Sequence, residues 1–342
     1  MDTDKKDRRE ALIASILPMA VIFLVWLAYM IYHNKWYIFK EDWYMSITMI
    51  FGSFVAGASS EGGGAVAFPV MTLLYHIPPA VARNFSLAIQ SIGMTSAAYV
   101  IFRKRILIEK NYLFYASIGG VFGVVFGTYF IVPHIKPAYA KMMFVTFWLS
   151  FAIILYYINH IKNRKVVDTL EHIGISDKIA MVVVGFLGSN LTAIFGSGID
   201  IFTFAYMTMK YQLSEKVATP TSVVLMGFNS VVGFLLHYFV IQDFQPEAFN
   251  FWLACIPVVI VGAPLGAFFI STQTRKFVIY FLYTVIVAQF IGAVYILKPM
   301  GELLAFTVAV FVGGISFFFI FARKRVLPAL EPNEPQGNTE NQ

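Results

Sequence analysis

"GASSEGGGAVAFP", residues 57–69, places a carboxylate (Glu61) and three consecutive glycines (Gly62, Gly63, Gly64) inside a strongly apolar region. Glycine is a poor helix former, and an ionisable side chain is expensive in hydrocarbon. A straight membrane helix through this stretch would carry both faults; a broken one avoids them. Irregular backbone at membrane depth is tolerated only where it is buried in protein or lines a cavity. The stretch therefore predicts a helix break that faces something other than lipid.

The surroundings supply the membrane. The chain has 342 residues, 58% hydrophobic and 13% charged, where soluble domains carry roughly 25% charged residues. Apolar runs long enough to span a bilayer, about 20 residues each, lie at 11–33, 79–102, 112–132, 141–159, 218–240, 249–270, 276–297 and 302–322. Two more regions, 44–75 and 179–209, are apolar but interrupted by glycine. The expected fold is an all-α integral membrane protein with those eight full spans and two broken-helix hairpins, about 8–12 helical segments in all. No polar stretch is long enough for a soluble domain. The run 11–33 is longer than a signal-peptide core and no small-residue cleavage site follows it, so it reads as a retained membrane helix. The single cysteine, Cys255, excludes an intrachain disulfide and a cysteine metal cluster. No cofactor or metal is expected, and the net charge of +6 sits in short loops, where it sets orientation rather than binding nucleic acid.

Those loops give the sidedness. Lys5, Lys6, Arg8 and Arg9, then Arg103, Lys104, Arg105 and Lys110, then Lys162, Arg164 and Lys165, then Arg275 and Lys276, then Arg323, Lys324 and Arg325 should all be cytoplasmic. "IQDFQPEA" at 241–248 has no Lys or Arg and should be outside. Both termini are then cytoplasmic, in a cell membrane such as the bacterial inner membrane. Lys35, Lys40, His134, Lys136 and Lys298 depart from the rule. On this plan 44–75 enters and leaves from outside, and 179–209 enters and leaves from inside.

The two interrupted regions align. Gly62 set over Gly198 gives the identities Gly62/Gly198, Phe68/Phe204, Met71/Met207, Thr72/Thr208, Tyr75/Tyr211, Val81/Val217, Ala82/Ala218 and Ser86/Ser222 without a gap. "GVVFGTYFI" at 123–131 likewise resembles "GAPLGAFFI" at 262–270. The chain divides into an extra helix (1–43), a first repeat (44–159), a cytoplasmic linker (160–178), a second, inverted repeat (179–297) and a last helix with a polar tail (298–342). Inverted repeats with broken helices mark secondary transporters, with the site near the midplane; the alternative is a duplication without transport.

A helix restarting after Gly64, at about Ala65, would turn unpaired amides toward the break, a ready anion site that glycine lets a ligand approach. "FGSGID" (195–200) would present a second helix start. The substrate-binding candidates are Ser59, Ser60, Glu61, Gly62, Gly63, Gly64, Ser86, Gln90, Gly196, Ser197, Gly198, Thr219, Thr221 and Ser222, with Ser91 and Asn229 nearby. The plainer reading of the hydroxyl and amide side chains is interhelical hydrogen bonding. Glu61 is either a cap on the following helix or a carboxyl protonated by burial, and so the proton-coupling candidate. Asp200 reads as a cap or a neighbour's partner. Arg83 reads as a snorkelling side chain, with substrate attraction as the alternative.

"GASSEGGGAVAFP" with "PPAVARNFSLA", repeated as "GSNLTAIFGSGID" with "SEKVATPTSVV", resembles the TauE/SafE family of membrane permeases over about 44–297. The resemblance implies transport of small sulfur-containing anions such as sulfite, sulfoacetate or other organosulfonates, often by export. Glu61 stands where the family commonly has a small or apolar residue. Asp200 lies opposite Gly64, and no proline lies opposite Pro69. The function expected is a secondary transporter of a small anion, with proton coupling through Glu61 as one option. The alternatives are an anion channel and an intramembrane hydrolase using Ser59 or Ser60 with His237. The bilayer and the anion are the expected partners; the oligomeric state is open, a homodimer among the choices. There is no phosphate loop to suggest ATP use.

Overall fold

The structure, a computed structural model, describes residues 19–59, 62–161, 166–170 and 173–323. Ser60, Glu61, the basic clusters at 5–9 and 162–165, and Lys324 and Arg325 lie outside the described residues, and so does the start of the run 11–33.

The protein is an all-α integral membrane protein. The described residues form α1 (Met19–Tyr32), α2 (Ile38–Glu41), α3 (Trp43–Ala58), α4 (Gly62–Pro69), α5 (Pro79–Arg103), α6 (Lys110–Phe126), α7 (Pro137–Tyr156), α8 (Ile175–Phe195), α9 (Ile199–Lys210), α10 (Glu215–Leu235), α11 (Pro246–Thr272), α12 (Arg275–Leu297) and α13 (Gly301–Arg323). Several continue as π-helix, α4 through Leu74 and α10 through Ile241. Pro69 has no amide for the helical ladder, and α4 widens directly after it. Eight helices are long and apolar enough to cross a bilayer. They are not the eight expected: α8 takes the place of the first run, which is described only from Met19.

Both interrupted regions break as two helices, with two corrections. The first break falls before the glycines, not at them: α3 ends on Ser59, in extended conformation, and α4 already includes Gly62, Gly63 and Gly64 as its first turn. The expected start at Ala65 is three residues late, because no glycine there needs a special dihedral angle. The second pair of arms is unequal. α8 has 21 residues, about 32 Å at 1.5 Å per residue, the length of a full span rather than half a hairpin.

The geometry after each break repeats closely. Tyr75 and Tyr211 share φ −95° with ψ −2° and −3°. His76 and Gln212 follow in left-handed conformation at φ 56° and 55°. The amides of Ile77 and Leu213 then donate back to Met71 and Met207 carbonyls at 2.9 and 3.1 Å, the bond that closes a helix end around a left-handed residue. Thr72 and Thr208 each donate to the carbonyl four residues back at 2.8 Å. Pro78 and Ser214 start the next helix with ψ 137° in both.

Packing exchanges the two halves. α3 lies on α11 and α8 on α6, backbone against backbone, because the contact positions are glycines: Gly57 faces the Ala263 carbonyl, and Gly119 the Val182 carbonyl. Gly262 sits on Ser53 as Gly123 sits on Ser189, and Gly266 on Phe54 and Ala58 as Gly127 on Asn190 and Ala193. Ser53/Ser189 and Phe54/Asn190 keep the offset of the sequence alignment, as Gly123/Gly262 and Gly127/Gly266 keep that of the second match. α5 and α10, equivalent under it, pack on each other antiparallel, with Gly227 at Met94 and Thr95 but Gly233 at Leu87. The equivalent helices therefore run in opposite directions where they meet. Of the eight candidate spans, α5 is the most enclosed and α13 the least. α1 docks on α11, where the Trp26 indole donates to the Leu253 carbonyl at 2.8 Å.

Candidate functional site

The second break is built by its own residues. Gly196 is left-handed at φ 78° and Gly198 lies at φ 157°, both open to glycine at little cost. The Asp200 carboxylate, fully buried, accepts from the Gly198 amide at 2.9 Å and the Ser197 hydroxyl at 3.1 Å. The Thr192 hydroxyl accepts from the Ile199 amide at 3.0 Å. The leading amides of α9 therefore have internal acceptors, and the expected bare helix end is capped here. Asp200 is that cap. At the first break Ser59 is buried in extended conformation, and the amides of the glycine turn begin α4.

The helix after each break leans on the other half. Gln90 of α5 donates to the Gly196 carbonyl at 2.6 Å and to the Ser86 carbonyl at 2.9 Å. A Cβ on Gly196 would come within 2.5 Å of the Ser86 Cβ and 2.6 Å of the Arg83 carbonyl. Ser86, Gln90, Gly196, Ser197 and Gly198 are thus brought together. The Ser86 hydroxyl and the Gln90 Oε1 are buried without a hydrogen-bond partner. On α10, Thr219 has a buried, unpartnered hydroxyl and lines a cavity of about 10 Å³ with Gly57, Glu215 and Ala267, about the space of one water. Ser222 donates to the Thr219 carbonyl at 2.8 Å. Thr221 is not brought to either break: its hydroxyl accepts from the Glu109 amide at 3.0 Å and donates to Val217. Asn229 accepts from Ser189 at 2.7 Å, and Ser91 bonds its own helix at Ala88. The two hairpins touch through Phe68 and Phe195, ring centroids 5.5 Å apart.

One cluster was not anticipated. Arg83, read as snorkelling, is 4% exposed. It pairs with Asp243 at 3.0 Å, and Asp243 accepts from His237 at 2.7 Å. Asn84 donates to the Asp243 carbonyl and to Gln245 at 3.0 and 2.9 Å. Burial pushes the Asp243 carboxyl up, but the hydrogen bond and charge of His237 and the charge of Arg83 outweigh it and hold the group below its ordinary value. The sequence pattern carries no signal for this pairing: the aspartate of "IQDFQPEA" lies 160 residues from Arg83 in the chain. His237 bonds Asp243 through Nδ1, and its Nε2 is buried with no hydrogen-bond partner, so the structure does not pair it with Ser59.

Eight helices long and apolar enough to cross a bilayer, with two interrupted regions among them, define a polytopic helical membrane protein. The model of the sulfite exporter TauE/SafE family matches residues 45–288, and the chain belongs to that family, one of membrane transporters. The match leaves out α1, α2 and α13. Neither a curated protein nor a solved structure matches the chain.

Proposed function

We propose that the protein is a secondary transporter of a small sulfur-containing anion, such as sulfite, sulfoacetate or another organosulfonate, working by alternating access between two inverted repeats, 44–159 and 179–297. The observation that carries this reading is the second break itself. α5 crosses antiparallel to its counterpart α10 and lays Ser86 and Gln90 on the glycine turn of the other half. Unpartnered buried hydroxyl and amide groups are costly, and the Ser86 hydroxyl and Gln90 Oε1 at this turn support a polar ligand. The amides of Gly62, Gly63 and Gly64 belong to this site from the first half, and those of Ser197 and Gly198 line it through their capped turn. Coupling to protons runs through Glu61. The N- and C-termini face the cytoplasm of a bacterial inner membrane.

Proteoliposomes loaded with labelled sulfite, sulfoacetate, isethionate and acetate test this. The expected outcome is saturable flux of a sulfur oxyanion, with pH-driven uptake lost and exchange kept in Glu61→Gln. Flux of none of them removes the reading, and unchanged pH-driven uptake in Glu61→Gln removes the coupling role. Non-saturating flux would favour the channel alternative.

A further inference from the structure

The Arg83 cluster lies at the amino end of α5, one turn before Ser86. An arginine that snorkels puts its head in water; this one is buried, and each charge around it has a partner. Its guanidinium donates from Nη2 to the Asp243 carboxylate at 3.0 Å and from Nε to Asn84 at 3.1 Å. Arg83, Ser86 and Gln90 are spaced i, i+3, i+7 and share a helix face. The Arg83 backbone abuts the Gly196 turn, so the polar track of Arg83, Ser86 and Gln90 on α5 begins against it. Two groups on or beside this track, the Ser86 hydroxyl and the His237 Nε2, are buried with no partner. Asp243 differs from the rest: its side chain is 38% exposed against 5% for Arg83, so it covers the arginine from the water side. Its loop begins at Gln242, left-handed at φ 58°, a conformation non-glycine residues adopt at a cost and a suitable hinge.

We propose that Arg83 is the anion-recognition side chain of the transport path, that Asp243 occupies it in the closed state, and that an entering sulfonate, sulfite or carboxylate displaces Asp243. A guanidinium offers two parallel donors to two oxygens of one anionic group; Asp243 uses one of them, through Oδ2, while its Oδ1 is held by His237. On leaving Arg83, Asp243 keeps its hydrogen bond with His237 and moves toward water, so neither charge is left buried and bare. The Ser86 hydroxyl is within the next turn to receive a further substrate oxygen. This rests on the anion-transport reading and assigns its binding residue.

The test is anion binding by calorimetry to the purified full chain in nanodiscs, with sulfite, sulfoacetate and acetate as probes. Removing the internal competitor in Asp243→Asn should tighten the best probe by about tenfold or more, and Arg83→Gln should weaken it by at least as much. Where either single variant fails to fold, the double variant Arg83→Gln/Asp243→Asn, which removes both buried charges together, decides. A loss of about tenfold supports the proposal, and wild-type affinity overturns it. Unchanged or weaker binding by folded Asp243→Asn also overturns it. If the wild type binds a probe and the variants bind it equally, this assignment fails and the transport reading stands. If the wild type binds none of them, both fail.

Discussion

Asp42 sits between α2 and α3, outside the spans. Burial and the neighbouring charges of Glu41 and Glu247 push its carboxyl up to about 6 from an ordinary 3.8. A folded-state value above the unfolded one means that the folded protein holds the proton more tightly. The stability this contributes is complete below about 3.8 and is lost as pH rises through about 6. Asp42→Asn should therefore melt above the wild type at pH 8, with the gap closing on acidification through pH 6. A gap that is constant with pH would contradict the charge environment. Residue-level reading of the sequence served unevenly. Asp200 was legible as a cap because a carboxylate two residues after glycine and just inside a helix start has few other uses. Arg83 was not, because its partner lies 160 residues away in a loop, and sequence spacing carries no information about that pairing.

The glycine breaks are the elements on which the rest depends. Gly196 combines a left-handed backbone with contact against α5, so Gly196→Ala meets both obstacles. The left-handed conformation alone costs an L-residue about 1–2 kcal/mol, and the new methyl would reach the Ser86 Cβ and the Arg83 carbonyl. The expectation is a lower melting temperature and strongly reduced flux. Gly292→Ala on α12, where a Cβ has nothing within 4 Å, should leave both nearly unchanged. Equal behaviour of the two variants would contradict the packing described. Breaks in both regions were legible, since glycine inside an apolar run has a direct physical meaning. Their exact positions were not. Three glycines also fit the first turn of a helix, and whether they form a turn or start one depends on what approaches them. The length of α8 was hidden for a related reason: the polar first turn at 175–178 reads as loop until it is seen to cap itself, with Asp177 accepting from the Gly174 amide at 3.1 Å.

Across the whole molecule, the relation of the two halves rests on α5 and α10 running antiparallel. In a Cys255→Ala background, Leu87→Cys paired with Gly233→Cys should be joined by a short thiol cross-linker. Met94→Cys paired with Gly233→Cys, seven residues or about 10 Å along the helix, should not. The opposite pattern would mean that the equivalent helices run parallel, and the inversion would fall. Identical residues such as Phe68/Phe204 and Tyr75/Tyr211 fall in one register in the sequence, and the same register returns in the dihedral angles at Tyr75 and Tyr211. The division of labour between the halves was not readable. It arises from α5 lying against the opposite turn, a contact across more than 100 residues that Gln90 makes with Gly196.

We propose that this membrane protein carries a small sulfur oxyanion by alternating access. Counterflow tests it most directly: proteoliposomes preloaded with unlabelled sulfite or sulfoacetate, diluted into a trace of the labelled anion. Transient accumulation of label above the outside level, dependent on the preloaded anion and reduced in Gly196→Ala, is the expected result. Absence of accumulation with every anion tested, in liposomes containing folded protein, would contradict it.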